Sequence, residues 1–498
     1  MKYISTRGGS PAISSAEAIR NGLAPDGGLY MPDCIPSLSE DDLKCLCGMG
    51  YSERAACIMH RFLYDSFPAS ELLSDCRSAY SGQSFPGEPA RVVPVGNSLR
   101  VLELWHGPTA AFKDMALQIM PHLFVSALRK TGDNRRALIL VATSGDTGKA
   151  ALEGYRDVDG VDIAVFYPVN GVSTVQKLQM ATQTGKNVYV RAVEGNFDDA
   201  QTGVKKIFSD PAMGSKLNEK GYFLSSANSI NWGRLVPQIC YYISAYCDLI
   251  STGDINAGET VDIAVPTGNF GNILAAFIAK KMGLPVGKLL CASNVNNVLT
   301  DFFNTGKYDR NRDFRLTVSP SMDILISSNL ERLLYLVCGT QKTAIYMEKL
   351  KKEGKYAVDN EDLDAMRADF DADYCDEEGT LEEIRHMYTD FGYLCDTHTA
   401  VALKCAERHI TPSGRKIIVA STANAYKFSP AVLQAISGEK CEGINAIGRL
   451  HEITGVEIPS PLRGIAERQI RFDPHDSILP SEMPFDVMQE IIDRNGRE

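Results

Sequence analysis

The 498-residue chain is short of the features that mark secreted, metal-centred or nucleic-acid-bound proteins. Its thirteen cysteines are an odd number with no CxxC pair, and the nearest two, Cys45 and Cys47, are followed by no His or Cys cluster. A disulfide framework and a zinc site are therefore both disfavoured, and reduced, packed thiols and no metal are expected. The eight histidines are dispersed and form no HExxH. No run of about 18 apolar residues occurs, and the opening MKYISTRGGSPAISS has no apolar stretch of the signal-peptide kind. A cytoplasmic protein with no membrane partner is the resulting expectation. Basic excess is missing too: net charge is -11 and the pI is near 5.4. No broad basic surface is available to neutralise a nucleic-acid backbone, and a small anionic substrate would need a local positive site. No internal repeat supports a solenoid.

What is present is an ordinary globular composition, 44% hydrophobic and 23% charged, enough for a large core over two or three domains. From about residue 95 short apolar runs alternate with helical patterns: RALILVATSG, VDIAVFYPVN, KNVYVRAVEG, VDIAVPTGNFG, KLLCASN and RKIIVASTAN. Each run is continuous and rich in β-branched residues, and each ends in Gly, Ser, Thr or Asn. These are the marks of buried parallel strands feeding ligand-facing loops. The fold class is α/β, with sites at the carboxyl ends of strands. Residues 1–90 differ, being short helical patterns and loops, and read as an N-terminal extension. Residues 91–460 read as a catalytic α/β region of two subdomains, and 461–498 as a C-terminal tail. The segment Asn360 to Thr380 carries nine carboxylates, but an EF-hand aligned at Asp369 would need Gly and Glu where Tyr374 and Thr380 stand. It is expected to be a solvated helix and turn.

Three stretches carry chemistry. In HGPTAAFKDMALQIM, Lys113 sits among Phe112, Met115, Ala116 and Ile119 at helical spacing. Either its stem lies on apolar surface with the ammonium in water, or it is a desolvated amine of lowered pKa able to form a Schiff base. SGDTGKA, from Ser144, resembles a P-loop but has Thr143 and Ala150 where Gly and Ser or Thr are required. What survives is a strand ending in a hydroxyl- and glycine-rich turn with N–H groups free for an anion. VPTGNFGNILAAFIAKKMG, from Val265, offers a strand, two glycines that permit close approach and φ freedom, and a helix start near Asn272. That is a phosphate cradle without GxGxxG, so a lone monophosphate suits it better than a dinucleotide.

Taken together, PTAAFKD (Pro108 to Asp114), ATSGDTG (Ala142 to Gly148), NSINWGRLVPQICYY (Asn228 to Tyr242), PTGNFGN (Pro266 to Asn272), SPSMDI (Ser319 to Ile324) and STANAYKF (Ser421 to Phe428) resemble fold type II pyridoxal-phosphate enzymes. Within that tryptophan synthase β-like group they resemble the threonine synthases, in the longer form whose N-terminal region is matched by YISTRG and GLAPDGGLYMP. The resemblance implies parallel sheets in two domains plus the extension, pyridoxal 5′-phosphate as cofactor, and conversion of O-phospho-L-homoserine and water to L-threonine and phosphate by a monomer or homodimer. It implies that Lys113 is the Schiff-base lysine, that Gly268, Asn269, Phe270, Gly271 and Asn272 hold the cofactor phosphate, and that Thr422 lies beside the pyridine nitrogen. For the substrate it implies Ser144, Gly145, Asp146 and Thr147 at the α-carboxylate, Arg234 and Lys177 as cations for the phosphate, and Asn228 and Ser229 as donors. Asp114 is expected to hold the helix start. The sequence departs from the family at Asn424 and Ala425, where His-Pro is usual, and at Thr397, where Pro usually precedes His398. Serine or threonine dehydration, phosphate elimination to 2-oxobutyrate, and vitamin B6 binding without catalysis remain as alternatives.

Overall fold

In a computed structural model, which describes residues 1–410 and 414–492, the six apolar runs are all strands and are divided between two sheets. The larger sheet has the spatial order Phe370–Tyr374, Val286–Ser293, Val261–Pro266, Ile417–Ser421, Leu99–Glu103, Arg91–Val95. All of its neighbours are parallel except the last pair, an antiparallel hairpin at the edge. The second sheet is wholly parallel in the order Ser477–Ile478, Val188–Val193, Val161–Pro168, Arg136–Ala142, Tyr222–Ser225. Every residue of Val161–Pro168 and of Val261–Pro266 is buried. Strands covered by helices on both faces need such continuous apolar runs.

One helix, Trp232–Ser251, ties the regions together. It is buried on nearly all sides and packs against Gly271–Lys281, Asp114–Leu117 and the N-terminal helix Tyr51–Leu63. The rings of Tyr3 and Phe62 stand 5.6 and 5.7 Å from Trp232, so residues 1–90 share a core with the catalytic region. At the other end, Ser477–Ile478 adds a strand to the five-stranded sheet, and Met483, Val487 and Ile491 fill the cluster beneath it.

The acidic segment is only partly the expected helix and turn. Between the helices Asn360–Asp369 and Glu377–Phe391 lies the edge strand Phe370–Tyr374, parallel to Val286–Ser293. Phe370 is buried, stacked 5.2 Å from Phe303, while Asp371 pairs with Lys288 and Asp373 with Arg408. A charged outer row on an edge strand discourages pairing with another chain, and it disguises the strand in a reading by hydrophobicity.

Candidate active site

Most of the candidate residues follow the carboxyl ends of strands in the two sheets. The loop before Lys113 is fixed to the end of Ile417–Ser421 by an antiparallel bridge between Ala111 and Ala423. Phe112 N donates to Thr422 O (2.8 Å) and Asn424 N to Ala110 O (3.1 Å). Ala110 takes a left-handed φ of 58°, a strained conformation for a residue with a Cβ, held by these bonds on both sides. Asp114 accepts from Thr109 N (2.8 Å) and Thr109 Oγ1 (2.7 Å), so it ties the loop ahead of Lys113 rather than capping the short helix Asp114–Leu117. Burial pushes the Asp114 carboxyl up to about 6, against those two hydrogen bonds.

The Lys113 side chain is only 12% exposed, and its Nζ lies 4.7 Å from the centroid of the Phe112 ring. Burial brings its amine down to about 8; the Asp146 carboxylate opposes that shift, while Arg234 and Lys427 reinforce it. Its limited exposure and lowered pKa fit the desolvated amine better than the snorkelling lysine. Asp146 opens the helix Asp146–Gly154. Its Oδ1 takes an ion pair from Lys427 (2.7 Å) and a hydrogen bond from Gln176 Nε2 (2.8 Å), and its Oδ2 stands 4.0 Å from Lys113. Burial works against this carboxylate, but the two ammonium groups hold it well below the usual carboxylate range.

The turn around Asp146 is partly satisfied by itself: Gly145 N and Gly148 N both donate to Thr143 Oγ1. Gly145 has φ 136°, and a Cβ there would overlap the Gln176 amide, so glycine is required on both counts. Among the described residues the N–H groups of Ser144, Asp146 and Thr147 have no acceptor. With its carboxylate turned to the lysines, Asp146 offers an anion only its N–H.

Opposite lies the cradle. The residue in the left-handed region is Phe270 (φ 62°), not either glycine. Gly268 is needed for close approach instead: a Cβ there would come within 2.6 Å of Ser321 O. The loop is clamped by Ser327 Oγ on Gly268 O (2.7 Å) and by Asn329, whose N and Nδ2 both reach Asn269 O (3.0 Å). Arg332, fully buried, holds Asn329 Oδ1 and the carbonyls of Ser229, Ile230 and Tyr30. Ser229 receives Asn329 Nδ2 at its hydroxyl (3.0 Å), and its Cβ is 3.4 Å from where a Gly271 Cβ would stand. The N–H groups of Gly268, Asn269, Phe270 and Gly271 have no acceptor among the described residues. Tyr241 and Tyr242 donate to Asn272 Oδ1 (2.5 and 2.6 Å), which leaves Asn272 Nδ2 buried without a partner.

Arg234 is no surface arginine. It is 3% exposed, one of its Nη donates to Ala227 O, its Nε has no partner, and burial lowers its guanidinium to about 10. No carboxylate pairs with it among the described residues, and a buried cation without an anion is costly. Lys177 is less well placed: on the helix Thr174–Ala181 it donates to Val169 O (2.5 Å), while its neighbour Gln176 faces Asp146. Asn228 lies in the turn before Asn231, which caps the helix Trp232–Ser251. Thr422 is buried just past the end of Ile417–Ser421. Asn424 caps the turn Ala425–Phe428 through Tyr426 N (3.0 Å), and Thr397 Oγ1 bonds Val318 O (2.7 Å). His398 Nδ1 meets Asp396 Oδ2 (2.8 Å) and its Nε2 accepts Ser321 N (3.1 Å), which supports the turn against Gly268.

Sequence reasoning passed over Lys427, Gln176, Asn329 and Arg332. For Lys427 the signal was available, since a lysine inside AYKFSPAV keeps the same apolar company as Lys113. For the other three no local pattern exists.

Comparison with known proteins accords with this geometry. The family described as "Threonine synthase N terminus" matches residues 2–80, "Pyridoxal-phosphate dependent enzyme" residues 95–422, and "Threonine synthase, C-terminal" residues 399–478. The chain is 44% identical over 437 residues to threonine synthase-like 1 of Homo sapiens, covering 84% of this chain and 58% of that protein's length. It is 37% identical over 498 residues to threonine synthase of Pseudomonas aeruginosa, covering 100% of this chain and 99% of that one. The crystal structure of PLP-bound threonine synthase from Brucella melitensis superposes with a TM-score of 0.87 at 35% identity, over 100% of both chains.

Proposed function

The chain belongs to the threonine synthase family of pyridoxal-phosphate-dependent enzymes, and from that membership we propose that it converts O-phospho-L-homoserine and water to L-threonine and inorganic phosphate with pyridoxal 5′-phosphate. The observation that carries the reading is a largely buried amine of lowered pKa beside Asp146 at one helix N-terminus, influenced by a buried guanidinium that has no carboxylate partner among the described residues. The residues present fit the cofactor. A phosphate needs several donors, and the Gly268–Gly271 N–H row and the orphaned Asn272 Nδ2 are donors without acceptors. Gly268 keeps the loop free of a Cβ, Lys113 supplies the amine, and Thr422 offers a neutral hydroxyl for the ring nitrogen.

When bound, pyridoxal phosphate supplies an electron sink for charge that develops beside the substrate amine. The chain's own residues do the rest. Lys113 Nζ, with a pKa near 8, can take a proton and return it near neutral pH, which suits a group serving several carbon positions in turn. The free N–H groups of Ser144, Asp146 and Thr147 would bind the α-carboxylate. Arg234 would bind the substrate phosphate bidentately, with Asn228 and Ser229 as further donors and Lys177 as the alternative cation. The catalytic region is taken as residues 91–460, with 1–90 and 461–498 supporting it. No helix among the described residues is long and apolar enough to cross a membrane, in keeping with a cytoplasmic enzyme, monomeric or homodimeric.

Incubation of the holoenzyme with O-phospho-L-homoserine should release phosphate and threonine in equal amounts. Phosphate with 2-oxobutyrate and no threonine would replace this reading by elimination, and turnover of serine or threonine with no phosphorylated substrate would replace it by dehydration.

A further inference from the structure

Asp146 is the carboxylate nearest to the Lys113 amine, and a carboxylate beside a buried amine ordinarily holds it as an ammonium. Here one of its oxygens, Oδ1, is already occupied, and the other, Oδ2, is the one nearest Lys113. Lys427 Nζ is 2.7 Å from Asp146 Oδ1 and 3.0 Å from Thr109 O, and it is completely buried. Gln176 Nε2 takes the same oxygen at 2.8 Å, which leaves Lys113 at 4.0 Å from Oδ2, outside hydrogen-bond reach. We propose that Lys427 is a positioning residue for Lys113: by holding Asp146 through Oδ1 it keeps the carboxylate 4.0 Å from Lys113, too far for a hydrogen-bonded ion pair, and keeps that amine available in its uncharged form. The proposal rests on the reading of Lys113 as the site lysine.

The charges facing Lys113 come from four elements. Asp146 lies at the start of the helix Asp146–Gly154, Arg234 on Trp232–Ser251, Lys427 on the turn Ala425–Phe428, and Asp114 on the lysine's own short helix. Asp114 is engaged by Thr109 and raised by burial, which weakens it as a competing anion. Burial is the largest influence on that amine; Asp146 opposes it, and Arg234 and then Lys427 reinforce it. Lys427 also holds the carbonyl of Thr109, four residues before Lys113, so its charge and the lysine loop are fixed relative to one another.

The test is the pH profile of acylation at Lys113 in the full-length chain freed of cofactor, read by mass spectrometry of the peptide containing Phe112 and Asp114. The wild-type amine should titrate near 8. In Lys427→Met, Asp146 is released to Lys113, and the apparent pKa should rise by about one unit or more, roughly a tenfold loss of reactivity at pH 7.5. Lys427→Arg should restore the wild-type profile, and Asp146→Asn should move it down. An unchanged profile in folded Lys427→Met, or shifts of the same sign in Lys427→Met and Asp146→Asn, would overturn the proposal. If Lys427→Met does not fold, a profile in Asp146→Asn that fails to fall has the same force. Borohydride fixation of the cofactor on a different lysine would instead overturn the assignment of Lys113, and does not depend on any of these profiles.

Discussion

Two loops of the molecule share one plan, a parallel strand that runs through a short glycine-bearing turn into a helix N-terminus, yet they have been furnished in opposite ways. The turn at Ser144–Thr147 is crowded with ionised side chains, since Asp146 is clasped by Lys427 and Gln176 with Lys113 and Arg234 nearby, and the N–H of Gly145, like that of Gly148 just beyond, is taken by Thr143 Oγ1. Among the described residues no ionised side chain bonds the turn at Gly268–Gly271 directly; Arg332 reaches it only through Asn329 and Ser229. The turn is held by serine, asparagine and tyrosine groups, and its N–H row is left open. A strand-to-helix turn is thus a neutral starting material. On the proposed reading, free N–H groups suit one copy to holding an anion, and side-chain charges suit the other to setting the state of an amine.

The comparison breaks first at Lys113. Lys113→Ala should lower turnover by about 10³-fold or more, because the amine both carries the cofactor and moves protons. Borohydride should then fix no cofactor on the peptide containing Phe112 and Asp114, and persistence of that label would refute the assignment. Arg234→Ala should reduce kcat/KM for O-phosphohomoserine by about tenfold to a few hundredfold, the ~1.5–3 kcal/mol of one charge-assisted contact, while leaving the cofactor absorbance intact. Equal losses with unphosphorylated amino acids would make Arg234 structural and move the role to Lys177.

On the uncharged side the lever is space. Gly268→Val drives a side chain into Ser321 O, and cofactor affinity should fall about tenfold to a hundredfold with the far-ultraviolet circular dichroism unchanged. Unchanged affinity in a folded variant would put the phosphate elsewhere. The smallest effect is on stability. An unfolded lysine titrates near ~10.4, whereas folded Lys113 titrates near 8. Between those values the unfolded chain holds a proton that the folded chain has released, so stability rises with pH across that window, and below it the cost of the buried ammonium is fully present. Cofactor-free Lys113→Met should therefore exceed wild type by about 3 kcal/mol at pH 7 in urea titrations, with the gap closing by about pH 10. A gap that is independent of pH would mean that the amine is not desolvated.

Much of this was legible in the linear chain. The apolar runs announced both sheets, and the turn chemistry after three of them announced the loops. Lys113 stood out because a charge in a helical apolar stripe demands an explanation. What was hidden depends on contacts between distant segments. Arg332 and Asn329 clamp the cradle from a helix whose own pattern shows nothing unusual, and Lys427 gains its meaning only when Asp146 is brought to it. Local conformation misled once: the composition pointed to glycine for the left-handed residue, but Phe270 takes it, because its ring is anchored among Phe303 and Phe370. The edge strand Phe370–Tyr374 was obscured by its charges.

The bridge between Ala111 and Ala423 also sets a timetable. The two partners are separated by about three hundred residues, so while the chain is being made the lysine loop has no anchor until the segment around Thr422 and Asn424 has emerged. At ~5–20 residues per second that interval lasts tens of seconds, during which Ala110 has nothing to hold its unfavourable φ. The Lys113 loop is therefore fixed late, after both sheets have most of their strands, and a nascent or truncated chain that stops short of Ile417–Ser421 carries the lysine without its setting.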